Sequence, residues 1–259
     1  MFLIKLGGSI ITEKAQNACF RKKTMDALSK HIATADKKVI LVHGAGSFGH
    51  GFAKKYSLKQ GFTSEQQRDG FALTQYKVQQ LNTFVLRSLQ DCSLPAISIP
   101  PHASVMFKDN SLYWFHEELF KNYYNLGFIP VTFGDVVVDK TNGFSICSGD
   151  ILMLALAETF KPDKVIFVLD EDGLYTANPK IDKDASFIDS ISADNLKELK
   201  TTMDSHPDVT QGMAGKLDTI QKLAQLHLNT VLINGNHPRR LLDVLKGNQT
   251  KQTLIHWRK

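Results

Sequence analysis

Short runs of consecutive apolar residues recur along the chain, separated by longer stretches in which apolar positions return every three or four residues. The runs are Phe2–Leu6, Val39–His43, Ala96–Ile99, Ile129–Phe133, Lys164–Leu169, Thr230–Ile233 and Thr253–His256. Nearly continuous hydrophobicity, as opposed to alternation, fits strands buried on both faces of a parallel sheet. Between the runs, Val78, Leu81, Val85 and Leu89 share the spacing of one helical face. Residues 150–160 and 213–227 also read as helices. Strand and helix in alternation predict an α/β fold, a three-layer sandwich with a central, mostly parallel sheet. Residues 176–211 are the most polar and least periodic part, and predict an excursion at the sheet edge or a flap.

A chain of 259 residues with 42% hydrophobic and 22% charged residues can bury a full core, and no linker, repeat or low-complexity segment divides it. The net charge of +5 suits anionic ligands. The lysine pairs at 22–23, 37–38 and 54–55 are dispersed, so no basic block marks a nucleic-acid partner. Cys19, Cys92 and Cys147 lie far apart without metal-ligand spacing, which predicts reduced thiols and a cytoplasmic setting. The start "MFLIKLGG" has only three apolar residues between Met1 and Lys5 that could seed a secretory signal. The longest uncharged apolar run, Ile151 to Ala157, is far short of the roughly 20 residues that cross a bilayer. The expectation is a soluble protein without a membrane partner.

Two strand candidates release glycine-rich turns, "KLGGS" and "HGAGSFGH". The second contains G-x-G-x-x-G at Gly44, Gly46 and Gly49. A dinucleotide site also needs a following strand that ends in an acidic residue about 20 positions on. The residues that follow, "GFAKKYSLKQGFTSEQQRDG", contain no strand-like run, so that reading is weak. "TQGMAGKL" lacks the spacing and the hydroxyl residue of a P-loop. Glycines at two such turns allow backbone N–H groups to face an anion. If both turns sit at one end of neighbouring parallel strands, they face one cleft from two sides. "LDEDGLY" has the start of a calcium loop but not its remaining acidic ligands, and no metal-ligating residue is assigned.

The blocks "IKLGGSIIT", "VHGAGSFGH", "PVTFGDVV", "CSGDI", "LDEDGLY", "DVTQGMAGK" and "LINGNHP" run in order from residue 4 to residue 238. In this the chain resembles the amino acid kinase superfamily and, within it, the isopentenyl phosphate kinases, chiefly through the histidine of "GSFGH". Fosfomycin kinases of the same fold can share that histidine and are the alternative; a non-catalytic nucleotide sensor is the third reading. The resemblance implies one amino acid kinase domain over 1–259. Residues up to about 150 would form an acceptor-binding lobe and about 151–259 a nucleotide-binding lobe. It further implies ATP as donor, Mg²⁺, isopentenyl phosphate as acceptor, and a homodimer.

By that resemblance Lys5, His50, Asp150 and Lys216 are the expected catalytic residues. Lys5 and Lys216 face the moving phosphoryl group, Asp150 organises both lysines, and His50 donates to the acceptor phosphate. A lone charge in "FLIKLGGS" is out of place in a buried strand, which independently favours a function for Lys5. Gly7, Gly8, Ser9 and Gly46 are expected to offer N–H groups to ATP, with Asp170, Tyr175 and Gly212 completing the nucleotide site. Ala45 and Gly149 are expected to offer theirs to the acceptor phosphate, the alanine provided that its φ is negative. Lys14 is placed near the phosphates or in a solvated loop. His43, inside an apolar strand, reads as structural. Phe71, Thr74, Val78, Phe133 and Ile146 are expected to line a dry pocket for the acceptor's carbon tail.

Overall fold

In the computed structural model, residues 1–16, 18–177, 179, 182–204 and 211–258 are described, with 200–204 and 211–214 described for secondary structure alone. In chain order the strands are β1 (Phe2–Leu6), β2 (Val39–His43), β3 (Ala96–Ser98), β4 (Val105–Lys108), β5 (Ser111–Phe115), β6 (Ile129–Phe133) and β7 (Asp135–Asp139). They continue as β8 (Gly143–Cys147), β9 (Lys164–Leu169), β10 (Leu174–Tyr175), β11 (Phe187–Ile188), β12 (Ser190–Ser192), β13 (Thr230–Asn234) and β14 (Thr253–His256). The helices are α1 (Gly8–Ile11), α2 (Lys22–Ala35), α3 (Gly46–Lys55), α4 (Glu65–Gln90), α5 (Pro101–Ser104), α6 (Glu117–Asn125), α7 (Gly149–Phe160), α8 (Ala193–Asp204), α9 (Gln211–Gln225) and α10 (Arg239–Lys246).

All seven predicted strands lie in one eight-stranded sheet of order β12-β14-β13-β9-β1-β2-β6-β3. Neighbours from β3 to β13 are parallel, and β14 turns back antiparallel to β13. Side-chain alternation along each strand splits the core in two. Ile4, Leu6, Leu41, Ile166 and Val168 pack with Met25 and Leu28 of α2, Leu81 and Val85 of α4 and Leu241 of α10. Leu3, Ile40, Val42, Val165 and Phe167 pack on the other face with Leu152, Met153 and Leu156 of α7 and Leu217 and Ile220 of α9. This is the predicted three-layer sandwich. It also fixes the side on which Lys5 emerges, because Lys5 shares the parity of Leu3 and so faces α7 and α9.

A second sheet, of order β5-β4-β7-β8, was not predicted. Its hairpins carry their own signals. Asp109 and Asn110 both have positive φ (51° and 59°) between the paired residues Lys108 and Ser111. That is the two-residue turn whose twist suits a hairpin. In the next hairpin Asp139 is buried, and its carboxylate accepts the N–H groups of Asn110, Thr141 and Asn142 and the Ser145 hydroxyl. Burial alone would raise its pKa, but these donors hold it well below the usual carboxylate range. Within the polar region 176–211, β11 pairs with β10, β12 joins the sheet edge beside β14, and α8 packs on α9 through the buried Leu196. The excursion reading therefore holds for its described part.

Candidate active site

A cleft of about 680 Å³ opens above the carboxyl ends of β1, β2 and β9. This is where ligands sit in open α/β sheets, beside the strand at which the chain order reverses. The two glycine turns form its floor. Gly7 N–H donates to the Val168 carbonyl (2.9 Å) and Gly44 N–H to the Leu6 carbonyl (3.0 Å), so each turn is stitched to the neighbouring strand. The turns touch each other so closely that a Cβ on Gly8 would lie 2.6 Å from Gly46 N, and one on Gly44 would lie 2.7 Å from Gly8 N. Gly46 adds a positive φ of 51°. The glycines are required by this contact as well as by any ligand.

Gly8, Gly46 and Gly149 are the first residues of α1, α3 and α7. N–H groups in a first helical turn have no intrahelical acceptor and favour an anion. Ala45 just precedes α3 with φ −68°, so alanine is unstrained there and keeps its N–H. Ser148 caps α7 by accepting the Ile151 N–H at 3.3 Å. The expectation for Gly7 needs correction: it lines the cleft, but its amide is committed to Val168 and is not available to a phosphate.

The charged side chains gather at one end. Lys5, only 8% exposed, forms an ion pair with Asp150 at 2.6 Å, and its ammonium also lies 5.7 Å from the centre of the Phe167 ring. A buried ammonium is costly unless paired, and here Asp150, at the start of α7, supplies the partner. The α7 start lies directly over the lysine stem, since a Cβ on Gly149 would sit 3.1 Å from Lys5 Cε. Lys216 projects from the beginning of α9 into the same space. Burial and then the charge of Lys5 press its pKa below the usual lysine value, with Lys14 adding to the effect and Asp150 and Asp170 opposing it. Lys14 reaches across the cleft to Asp170 at 2.5 Å. Burial would raise the Asp170 pKa, but the hydrogen bond and charge of Lys14 dominate and lower it.

His50, on the second turn of α3, opens into the cleft. Its ring is exposed at the cleft mouth, yet the protein packed around it and then the nearby Lys5 ammonium push its pKa below the ordinary histidine value. A neutral ring is thereby favoured in the free protein, and it can still donate one N–H. His43, by contrast, is buried below the turn. It stacks on Phe133 at 5.1 Å and contacts Asn82 and the Gly44 carbonyl, and burial pushes its pKa down to about 4. It packs as a structural residue.

The other end of the cleft is apolar, lined by Ala53, Thr74, Val78, Val136, Ile146 and Cys147. Thr74, Val78 and Ile146 agree with expectation. Phe71 and Phe133 do not line the cleft: Phe71 packs on Phe144 in a satellite core, and Phe133 is fully buried against His43.

Lys5, Gly7, Gly8, Ser9, Ala45, Gly46, His50, Gly149, Asp150, Asp170, Tyr175 and Lys216 thus all border one cleft. Gly212 falls where α9 is described for secondary structure alone, so its expected contact lies outside the described residues. Sequence reasoning missed Thr12 and Asp135, both buried and both lining the cleft. Each stood inside a quoted block, "IKLGGSIIT" and "PVTFGDVV", yet looked like an ordinary strand-end residue.

The model of the amino acid kinase family matches residues 1–234, and the chain belongs to that family. More particularly, it is similar to isopentenyl phosphate kinases. That of Methanothermobacter thermautotrophicus is 35% identical over 98% of this chain and 98% of its own length. That of Thermoplasma acidophilum is 32% identical, over 95% of this chain and 96% of its own. An X-ray structure of an isopentenyl phosphate kinase superposes with a TM-score of 0.87 at 32% identity, covering 98% of this chain and 99% of that one.

Proposed function

We propose that this chain transfers the γ-phosphoryl group of ATP to isopentenyl phosphate, forming isopentenyl diphosphate. The observation that carries the reading is the polarity of the cleft, with clustered cations at one end, helix starts and His50 in the middle, and an apolar pocket beyond. The acceptor phosphate is already anionic near neutral pH, so no strong base is needed. The obstacle is the mutual repulsion of donor and acceptor oxygens, and catalysis is positioning plus charge stabilisation. Lys5 and Lys216 flank the moving phosphoryl group, and Asp150 holds Lys5 in place. Gly8, Ser9 and Gly46 present amides to the donor, while Ala45, Gly149 and His50 hold the acceptor phosphate. Asp170 and Tyr175 border the nucleotide.

Magnesium fits as a companion of the triphosphate. Among the described residues no group of three or more His, Cys, Asp or Glu is placed to cage a metal, and Mg²⁺ commonly takes most of its ligands from phosphates and water. When bound it would spread charge over the donor oxygens, with Asp170 as the neighbouring carboxylate. The sheet order supports a division near residue 150. All main-sheet strands on one side of β1 precede that point (β2, β6, β3), and all on the other side follow it (β9, β13, β14, β12). The first group would carry the acceptor, the second the nucleotide. No described helix is long and apolar enough to cross a membrane, and the three cysteines are free thiols, in keeping with a cytoplasmic enzyme. A homodimer is the expected assembly, and the exposed Tyr76 and Phe84 of α4 offer apolar surface for it.

ADP release measured with isopentenyl phosphate, dimethylallyl phosphate, fosfomycin and no acceptor tests the reading. Turnover with the isoprenoid phosphates is expected. Turnover confined to fosfomycin, a compact polar molecule that gains little from an apolar pocket, would replace the substrate.

A further inference from the structure

Thr12 lies at the end of α1, is 1% exposed, and still contributes to the cleft wall. Its hydroxyl is used twice. Thr12 Oγ1 donates to the Gly8 carbonyl at 2.7 Å, and it accepts the Ser47 N–H at 3.0 Å. Gly8 belongs to the turn after β1 and Ser47 to the turn after β2, so one side chain joins the two. The joint is filled: a Cβ on Gly46 would lie 2.2 Å from Thr12 Oγ1. The neighbouring chain is drawn into the same knot. Thr12 bridges Phe20, the Ser47 carbonyl accepts the Ala18 N–H at 3.2 Å, and Ser47 Oγ accepts the Cys19 N–H at 3.4 Å.

We infer that Thr12 is a positioning residue that sets the spacing between the donor turn and the acceptor turn, and thereby the distance between the two reacting phosphates. The inference rests on the functional reading above. Each turn is also held at its base to the neighbouring strand, Gly7 to Val168 of β9 and Gly44 to Leu6 at the end of β1. The Gly44 bond joins the two turns at their base, and the tie at the start of α3, where Gly46 and Ser47 stand, is left to Thr12. What the hydroxyl adds is registration between them, and Val in its place leaves Ser47 N–H without its acceptor. Reaction rates are far more sensitive to such registration than binding is, and a misplacement of about 1 Å can cost about 100-fold.

The test compares wild type, Thr12→Val and Thr12→Ser by steady-state kinetics, with ADP binding by calorimetry and folded fraction by thermal melting. Thr12→Val is expected to lower kcat by about 10- to 100-fold per folded molecule. Both KM values and the ADP affinity should stay within about threefold, and Thr12→Ser should return kcat to within about threefold of wild type. The inference is overturned if Thr12→Val keeps wild-type kcat, if its loss is matched by a loss of folded protein, or if Thr12→Ser is as impaired as Thr12→Val. A wild-type chain inactive on isopentenyl phosphate would instead overturn the functional reading. The same three proteins compared on whichever acceptor does turn over then decide the role of Thr12.

Discussion

The two ends of the cleft handle charge in opposite ways. At one end Lys5, Lys14, Lys216, Asp150 and Asp170 gather, Lys5 paired with Asp150, Lys14 with Asp170, and Lys216 pressed by the charges of Lys5 and Lys14. At the other, Ala53, Val78, Val136 and Ile146 are apolar, with Thr74 and the buried Asp135, paired with His102, as the polar residues among them. His50 and the first turns of α3 and α7 lie between them. The contrast suggests that the charged end accelerates the reaction and the apolar end selects its acceptor. Substitutions at the first should act on kcat, and those at the second on acceptor KM.

The largest effect is expected from Lys216→Met, which should lower kcat by about a thousandfold. The same variant should melt slightly higher than wild type without ligand, because it removes a partly buried cation repelled by Lys5. A lower melting temperature would mark Lys216 as a structural residue. Next, His50→Gln should reduce kcat by about 100-fold and leave the ATP KM within about twofold. An equal loss of ATP binding would move His50 to the nucleotide side. Ile146→Asn should raise the KM for isopentenyl phosphate by about tenfold, from roughly 1.4 kcal/mol of lost apolar burial, with kcat nearly unchanged. A loss confined to kcat would break the division between the two ends.

The smallest effect concerns pH. The surrounding cleft walls and then Lys5 lower the His50 pKa in the free protein, whereas a bound phosphate dianion would raise it. On the proposed reading, acceptor binding should therefore take up a proton. The affinity so gained is present at low pH and fades as pH rises through the bound-state pKa. The acceptor phosphate itself titrates near pH 6, so the informative quantity is the wild-type advantage over His50→Gln in acceptor KM. It should shrink by a few fold between about pH 5 and pH 8. A constant ratio would show that His50 binds the phosphate without changing its protonation.

The parts of this arrangement differed in how plainly the sequence displayed them. Buried parallel strands are continuous apolar runs, so β1, β2, β6 and β9 stood out. The signal of the β4–β5 and β7–β8 hairpins lies less in such runs than in the turn residues Asp109-Asn110 and Asp139. Lys5 was visible as a charge inside a strand, and the two glycine turns as strand-end punctuation. That Lys216 would meet Lys5 came from family resemblance. Nothing local in "GMAGKL" specifies that α9 lies on the same sheet face as α7. The amide of Gly7 was misjudged for a related reason. A glycine turn announces available N–H groups, but which of them the neighbouring strand takes depends on register, here with Val168. Thr12 was invisible because its role lies in a contact with Ser47, 35 positions away.

Donor and acceptor phosphates are proposed to meet above the two joined turns, between Lys5 and Lys216. A crystal structure of the complex with a non-hydrolysable ATP analogue and isopentenyl phosphate tests this most directly. The triphosphate is expected over Gly8 and Gly46, with both ammonium groups at its γ-phosphate and the isopentenyl tail against Val78 and Ile146. A triphosphate bound elsewhere, or Lys5 still paired only with Asp150 and Lys216 turned away from it, would contradict that arrangement.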